Sequence, residues 1–137
     1  MHFDVPYGMT RRFQNASLAA VRENVVEALK KEGFGVLTEI DVQATLAKKL
    51  DVKTEPYVIL GACNPGLAHR ALGEEPALGL LLPCNVVVAQ DGDAVVVSAA
   101  SPHAMFSVVG EGASTAVRAV AEEAESKLRR ALEALPA

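Results

Sequence analysis

The stretch NVVVAQDGDAVVVS at residues 85–98 contains two valine-rich runs on either side of an Asp-Gly pair. Valine is enriched in β-strands, and the left-handed dihedral angles of Asp91-Gly92 match the twist of a tight hairpin turn. The stretch therefore predicts a hairpin with strands over 85–90 and 94–98. An antiparallel sheet built on this hairpin is the centre of the expected fold.

Two segments away from the hairpin have the residue spacing of long amphipathic helices. The first covers 17–31 and is followed by Gly33, a typical C-terminal cap. The second covers about 114–135 and, at 1.5 Å per residue, would be roughly 30 Å long. Each predicts a helix with one apolar side that packs on a large apolar surface. The recurring apolar residues are Leu18, Val21, Val25, Val26 and Leu29 in the first helix, and Val117, Val120, Ala124, Leu128, Ala131, Leu132 and Leu135 in the second.

Shorter elements are predicted between the first helix and the hairpin. Residues 34–40 and 56–62 have strand composition, and each is followed by a helix-capping residue, Asp41 or Asn64. The two resulting helices are expected over about 42–50 and from Pro65 to Gly73. Residues 74–83 contain too much Pro and Gly for a regular element and are predicted to form an apolar covering segment.

The fold class follows from this order of elements. Strands and helices are clustered rather than strictly alternating, which is typical of an α+β fold. The sequence predicts a single domain over 1–137, a two-layer sandwich in which two long helices cover one antiparallel sheet.

Composition limits the function. Of the 137 residues, 50% are hydrophobic and only 4% aromatic, and the net charge is −4. This balance indicates a globular protein and argues against a nucleic-acid partner, which needs basic surfaces or aromatic stacking. Arg11-Arg12 and Arg129-Arg130 are predicted to be solvated surface. We expect no membrane partner and a cytoplasmic location, because no segment resembles an export signal or an apolar span.

The two cysteines are the strongest candidates for chemistry. Cys63 leaves one predicted strand, Cys84 enters the next, and each is followed by an asparagine, Asn64 or Asn85. If the two strands are antiparallel neighbours, both cysteines lie at the same end of the sheet. Cys63 also precedes a predicted helix N-terminus, whose partial positive charge stabilises a thiolate. The alternative is that both are small buried residues with unreactive thiols.

A metal site is a further alternative. His69 lies on the helix after Cys63, and His103 lies on the turn after the hairpin. Cys63, Cys84, His69 and His103 thus form a candidate set of ligands for a soft metal. The sequence contains no Cys-x-x-Cys pair, so the spacing itself does not select a metal, and the cofactor stays unknown.

Three blocks resemble the domain of unknown function 302 family of uncharacterised bacterial and archaeal proteins. They are GFGVLTEID at 33–41, YVILGACNP at 57–65 and EPALGLLLPCNVVV at 75–88. The resemblance implies a TATA-binding-protein-like α+β fold, with the order strand, helix, four strands and helix, assembled as a homodimer. It implies no catalytic residue, since the family has no established activity. The positions that match its blocks are Glu39, Cys63, Asn64, Pro65, Pro83, Cys84 and Asn85.

Three functions remain open at this level. The first is a small-molecule-binding module with a polar site formed by Glu39, Cys63, Asn64, Cys84 and Asn85. The second is a thiol-dependent redox or soft-metal-binding protein that uses Cys63 and Cys84. The third is a homodimeric structural or interaction module, with the apolar segment 77–82 at its interface. Whether the protein is an enzyme is left undecided.

Overall fold

A computed structural model of the protein describes residues 1–136 and contains one five-stranded antiparallel sheet. The strand order across the sheet is β1-β5-β4-β3-β2, so β1 and β2 form the two edges. The strands are β1 (Gly8–Gln14), β2 (Gly35–Asp41), β3 (Tyr57–Cys63), β4 (Cys84–Asp91) and β5 (Ala94–Ala100). The helices are α1 (Leu18–Lys31), α2 (Val42–Leu50), α3 (Pro65–Glu74), α4 (Pro102–Phe106) and α5 (Thr115–Glu133), with short 3₁₀ turns over 76–80 and 107–112.

The hydrophobic core lies between one face of the sheet and the helices. Alternate residues of β3, β4 and β5 point into it, including Leu60, Val86 and Val97, each at most 1% exposed. Helix α5 contributes Leu128 and contacts α1, α3 and α4. This arrangement confirms the predicted two-layer α+β sandwich, and the order strand, helix, four strands and helix is present once the shorter helices are set aside.

Local signals in the sequence explain most element boundaries. Each helix begins after a capping residue whose side chain accepts a hydrogen bond from the backbone N–H three residues later. The caps are Ser17, Asp41, Asn64, Ser101 and Ser114. The hairpin is confirmed, but its two-residue loop is Gly92-Asp93 rather than Asp91-Gly92, because Asp91 still pairs with Ala94. Only Gly92 of this loop has a positive φ, 59°, as a turn with glycine first requires.

Strand β1 was not predicted from the residue pattern. Met9, Arg11 and Phe13 point towards the helices, and Arg11 is not solvated surface as predicted. Its guanidinium lies 4.8 Å from the centre of the Phe13 ring and donates to the carbonyl oxygens of Leu132 and Leu135, both at 2.8 Å. Arg11 therefore joins the edge strand to the C-terminal end of α5, where carbonyl groups lack helical partners.

Within residues 1–136, no helix is both long and apolar enough to cross a membrane.

Candidate functional site

The structure brings Cys63 and Cys84 to the same end of the sheet. Strands β3 and β4 are antiparallel neighbours, and Cys84 pairs with Ala62, the residue next to Cys63. Both thiols are free, Cys84 buried and Cys63 half-buried. The sequence-based expectation that the two cysteines meet at one sheet end is therefore confirmed.

Both cysteines line one small cavity, which we call the thiol pocket. It lies between the ends of β3 and β4 and helices α3, α4 and α5, and its volume is about 30 Å³. Cys63, Asn64 and Cys84 are its polar or thiol-bearing lining residues among those the structure describes, and none of its lining residues is charged. Apolar side chains form the rest of the wall, including Phe34, Leu67, Pro102, Phe106 and Ala124. The pocket is therefore a mostly apolar space lined by two cysteines.

Asn64 has a structural role at the edge of this pocket. Its Oδ1 atom accepts a hydrogen bond from the backbone N–H of Leu67 at 3.2 Å and thereby caps α3. Its Nδ2 atom donates to the carbonyl oxygen of Glu32 at 3.3 Å, just beyond the end of α1. Asn64 thus ties the start of α3 to the end of α1. These two hydrogen bonds fix the orientation of the amide, and the thiols are the remaining groups in the wall that could bind a ligand.

Burial changes the chemistry of Cys84. Its side chain is in the core and only 7% of the residue is exposed. Removal from water disfavours the charged thiolate, and this burial, with a smaller contribution from Cys63, raises the pKa of Cys84 to about 11. Cys84 is thus a protonated thiol at neutral pH.

Glu39 lies away from the thiol pocket. On β2, Glu39 pairs with Leu60, whereas Gly35 pairs with Cys63. Glu39 therefore lies four positions along β2 from the residue opposite Cys63. Arg22 of α1 donates to both carboxylate oxygens of Glu39, the second at 2.6 Å, and these hydrogen bonds lower the pKa of Glu39. Glu39 therefore serves as a partner for α1 on the sheet and does not line the pocket.

Asn85 also lies outside the thiol pocket, on the opposite face of the sheet. Side chains alternate along a strand, so Cys84 points into the core while Asn85 points away from it. Asn85 is exposed and lines a separate hollow together with Tyr57, Val87 and Ser98. The five residues expected to form one polar site are thus divided among three places.

The two histidines of the candidate metal set are both exposed, His69 on α3 and His103 on α4. Across the described chain, no group of three or more His, Cys, Asp or Glu side chains is arranged to hold a metal ion. Of the four candidate metal-binding residues, the two cysteines therefore line one pocket, and the two histidines lie outside it.

Two features of the pocket were absent from the sequence-based prediction. One is the wall contributed by α4 and α5, because contacts between distant segments leave no local signal. The other is the tight packing at Gly61, next to the pocket-lining residues Ala62 and Pro83, where a methyl group would collide with Thr38 Oγ1 and lie 3.0 Å from Pro83 Cγ. The glycine between Leu60 and Ala62, within a strand, is the signal that points to this close approach.

Comparisons with known proteins agree with the fold. The model of the family described as "Domain of unknown function DUF302" matches residues 9–135. The chain is similar to an uncharacterised conserved DUF302 protein from Bacillus stearothermophilus, known from its crystal structure. That similarity has a TM-score of 0.86 and 29% sequence identity, and it covers 96% of this chain and 100% of the other. No curated protein matches the sequence. Since the family model covers nearly the whole chain, the protein belongs to the DUF302 family.

Proposed function

We propose that the protein binds one soft monovalent metal ion, of the Cu(I) class, between the thiols of Cys63 and Cys84. The observation that carries this proposal is that Cys63 and Cys84 both line one small cavity that has no charged residue and a mostly apolar wall. It corresponds to the soft-metal alternative among the functions predicted from the sequence, with the two cysteines as the only ligands.

The size of the cavity favours a monatomic ligand. Pockets that enclose drug-sized molecules have volumes of about 300–1,000 Å³. The thiol pocket has about 30 Å³, which is room for only one or two water-sized groups. A small organic molecule would need the pocket to expand, whereas a single ion would not. The volume thus supports the metal alternative over a small-molecule site at this position.

The ligand atoms favour a soft ion. Thiolates select Cu(I) and other soft metals, whereas Mg²⁺ and Ca²⁺ require several oxygen ligands. None of the pocket-lining residues supplies a carboxylate, and the Asn64 amide oxygen already caps α3. Two sulfur ligands satisfy Cu(I), which accepts linear coordination by two donors. The residues lining the pocket therefore match this ion in both number and type.

The number of ligands, rather than the charge, favours a monovalent ion. When both thiols lose a proton and bind Cu(I), two protons leave and the site gains a net charge of −1. A divalent ion with the same two thiolates would be neutral, but it would lack the further ligands that Zn²⁺ requires. The N-terminus of α3, which begins next to Cys63, partly offsets the single negative charge.

The redox alternative uses the same two residues but is less well supported. Thiol exchange requires a thiolate nucleophile at working pH. Burial keeps Cys84 protonated near neutral pH, since its pKa is raised to about 11. Cys63 alone would have to supply the nucleophile, and a Cys84 thiol of raised pKa is a slow leaving group in exchange. A metal ion of high thiol affinity displaces that proton directly, so binding does not depend on a free thiolate.

Competition for Cu(I) tests the proposal. The full chain is titrated anaerobically with Cu(I) in the presence of the coloured chelator bicinchoninate. We expect one Cu(I) per chain to be withdrawn from the chelator. Cys63→Ser and Cys84→Ser should each weaken binding at least a hundredfold, because a single sulfur ligand remains.

Matched variants separate this site from adventitious binding. His69→Ala and His103→Ala remove the exposed histidines and should bind Cu(I) as the unmodified protein does. Thermal unfolding shows whether each cysteine variant is folded, and Cys84→Ala provides a second, apolar replacement. Unchanged Cu(I) affinity in folded variants that lack either cysteine would overturn the proposal. So would strong dependence on a histidine.

We also propose that the chain forms a homodimer. Leu80 supports this proposal, because it is 88% exposed in the apolar segment 77–82. Large apolar side chains that protrude in this way are typical of contact surfaces when they belong to a wider apolar patch.

A further inference from the structure

We propose a second binding site on the sheet face opposite the core, one that takes an uncharged planar ring bearing a carboxamide-like edge. The proposed site, which we call the open-face hollow, has a volume of about 360 Å³. This volume falls within the range of pockets that hold small organic molecules. It is independent of the metal site proposed above, because Cys84 and Asn85 point to opposite faces of β4.

The hollow is formed by the chain before β1 crossing the outer face of the sheet. Two backbone hydrogen bonds shape this segment, from Val5 to the carbonyl oxygen of Phe3 and from Gly8 to that of Val5. Thr10 Oγ1 donates to the same Phe3 carbonyl at 3.0 Å and also contacts Ser98 Oγ at 2.8 Å. The segment is thereby held above the sheet, and the space between them is preformed rather than created by a ligand.

The walls of the hollow favour a flat apolar ring. The aromatic rings of Phe3 and Tyr57 lie with their centres 6.4 Å apart and are tilted by 31°. Val87 and Met105 add further apolar surface, and all four side chains are half-buried. Aromatic rings pack against one another in offset or edge-to-face arrangements, and the Met sulfur also contacts rings favourably.

Asn85 defines the polar end of the ligand. Its carboxamide has one acceptor oxygen and two N–H donors. The residue is exposed, and its side chain makes no hydrogen bond within residues 1–136. Ser98, by contrast, is already paired with Thr10. A ligand with an adjacent donor and acceptor can form two parallel hydrogen bonds with the Asn85 amide. No Lys, Arg, Asp or Glu lines the hollow, which favours an uncharged ligand.

Tyr57 and Asn85 also set the length of the ligand site. Tyr57 pairs with Ala89, and Asn85 lies four residues away along β4. At about 3.3 Å per residue, the two groups are roughly 13 Å apart along the strand. A ring next to the aromatic wall can reach Asn85 only through a substituent or a second fused ring.

Quinoline-3-carboxamide serves as the probe, because its two fused flat rings extend from the aromatic wall towards Asn85 and carry a carboxamide. Quinoline has the rings without the amide, and cyclohexanecarboxamide has the amide without the flat rings. Binding is measured by nitrogen-15 NMR shifts of the backbone amides of 85–89 and 96–100. We expect saturable shifts with quinoline-3-carboxamide at a concentration at least tenfold lower than with either control compound.

Variants assign the contacts. Asn85→Leu should weaken quinoline-3-carboxamide binding about tenfold, the effect of losing hydrogen bonds worth about 1.4 kcal/mol. Gln14→Leu, which removes an exposed amide from β1, should leave the affinity unchanged. Cys63→Ser should also leave it unchanged, which separates this site from the thiol pocket. The proposal is overturned if quinoline-3-carboxamide shifts no amide of the hollow, or if folded Asn85→Leu protein binds it equally well.

Discussion

Cys84 is the residue at which burial has the clearest consequence for chemistry. Its pKa is raised to about 11, from an ordinary value of 9.0, by removal from water. The folded protein therefore keeps this proton at pH values where the unfolded chain has lost it. The contribution to stability is complete below about pH 9 and is lost as the pH rises towards 11.

This titration predicts a pH-dependent difference between two proteins. Two pKa units correspond to about 3 kcal/mol of unfolding free energy. We expect the original protein to lose about 2 kcal/mol more stability than Cys84→Ala between pH 8.5 and pH 11, because the folded thiol is only half titrated at pH 11. Urea unfolding in a reducing buffer measures both curves. Parallel curves over this range would show that burial does not perturb the Cys84 thiol.

The candidate residues illustrate what adjacent positions in a sequence can and cannot reveal. Cys63 and Cys84 were predicted to meet because consecutive antiparallel strands share an end. Asn85 was grouped with them, although strand alternation puts it on the other face of the sheet. Asn64 was assigned to a ligand site, yet its capping position already accounted for one of its two hydrogen bonds.

At the scale of secondary-structure elements, the signals that succeeded were local ones. Serine, aspartate or asparagine marked each helix start, and Gly33, with a φ of 84°, follows the end of α1 as predicted. Strand β1 has no such signal, because the polar residue Arg11 occupies an inward position between Met9 and Phe13. Only the family resemblance implied a strand before the first helix. Arg11 is accommodated there by contacts with residues more than 120 positions away.

The contact between β2, β3 and the segment before β4 can be tested at Gly61. Gly61→Ala would place a methyl group against Thr38 Oγ1 and Pro83 Cγ. Overpacking of this kind costs about 1–3 kcal/mol. Urea unfolding should therefore show a loss of stability in that range.

Gly73→Ala provides the matched control for this substitution. Gly73 lies near the end of α3, and a methyl group there would meet nothing within 4 Å. Alanine favours a helix over glycine by up to about 1 kcal/mol, so this variant should be as stable as the original or slightly more so. Equal effects of the two substitutions would contradict the close packing described around Gly61.

At the scale of the whole molecule, the two faces of the sheet carry different proposed binding sites. The inner face carries the core and ends at the thiol pocket, and the outer face carries the open-face hollow. The sequence predicted the inner layer well, since apolar periodicity reports burial. It did not predict the coverage of the outer face by residues 1–7, because that segment has no regular structure.

The proposed homodimer predicts a sedimentation change on substitution of Leu80. Stable interfaces bury about 1,200–2,000 Å² in total, and an apolar side chain that is 88% exposed is a suitable contact within one. We expect a dimer for the original chain and a monomer for Leu80→Glu by sedimentation velocity. Val108→Glu, at another exposed apolar residue, should remain dimeric. A monomeric original chain at tens of micromolar would contradict the proposal.

The most direct test of the central claim is anomalous X-ray diffraction at the copper edge from crystals grown with Cu(I) under reducing conditions. We expect one copper peak per chain, located between the sulfur atoms of Cys63 and Cys84 and without a histidine ligand. A peak elsewhere on the chain, or no peak in the thiol pocket of a copper-loaded crystal, would contradict it.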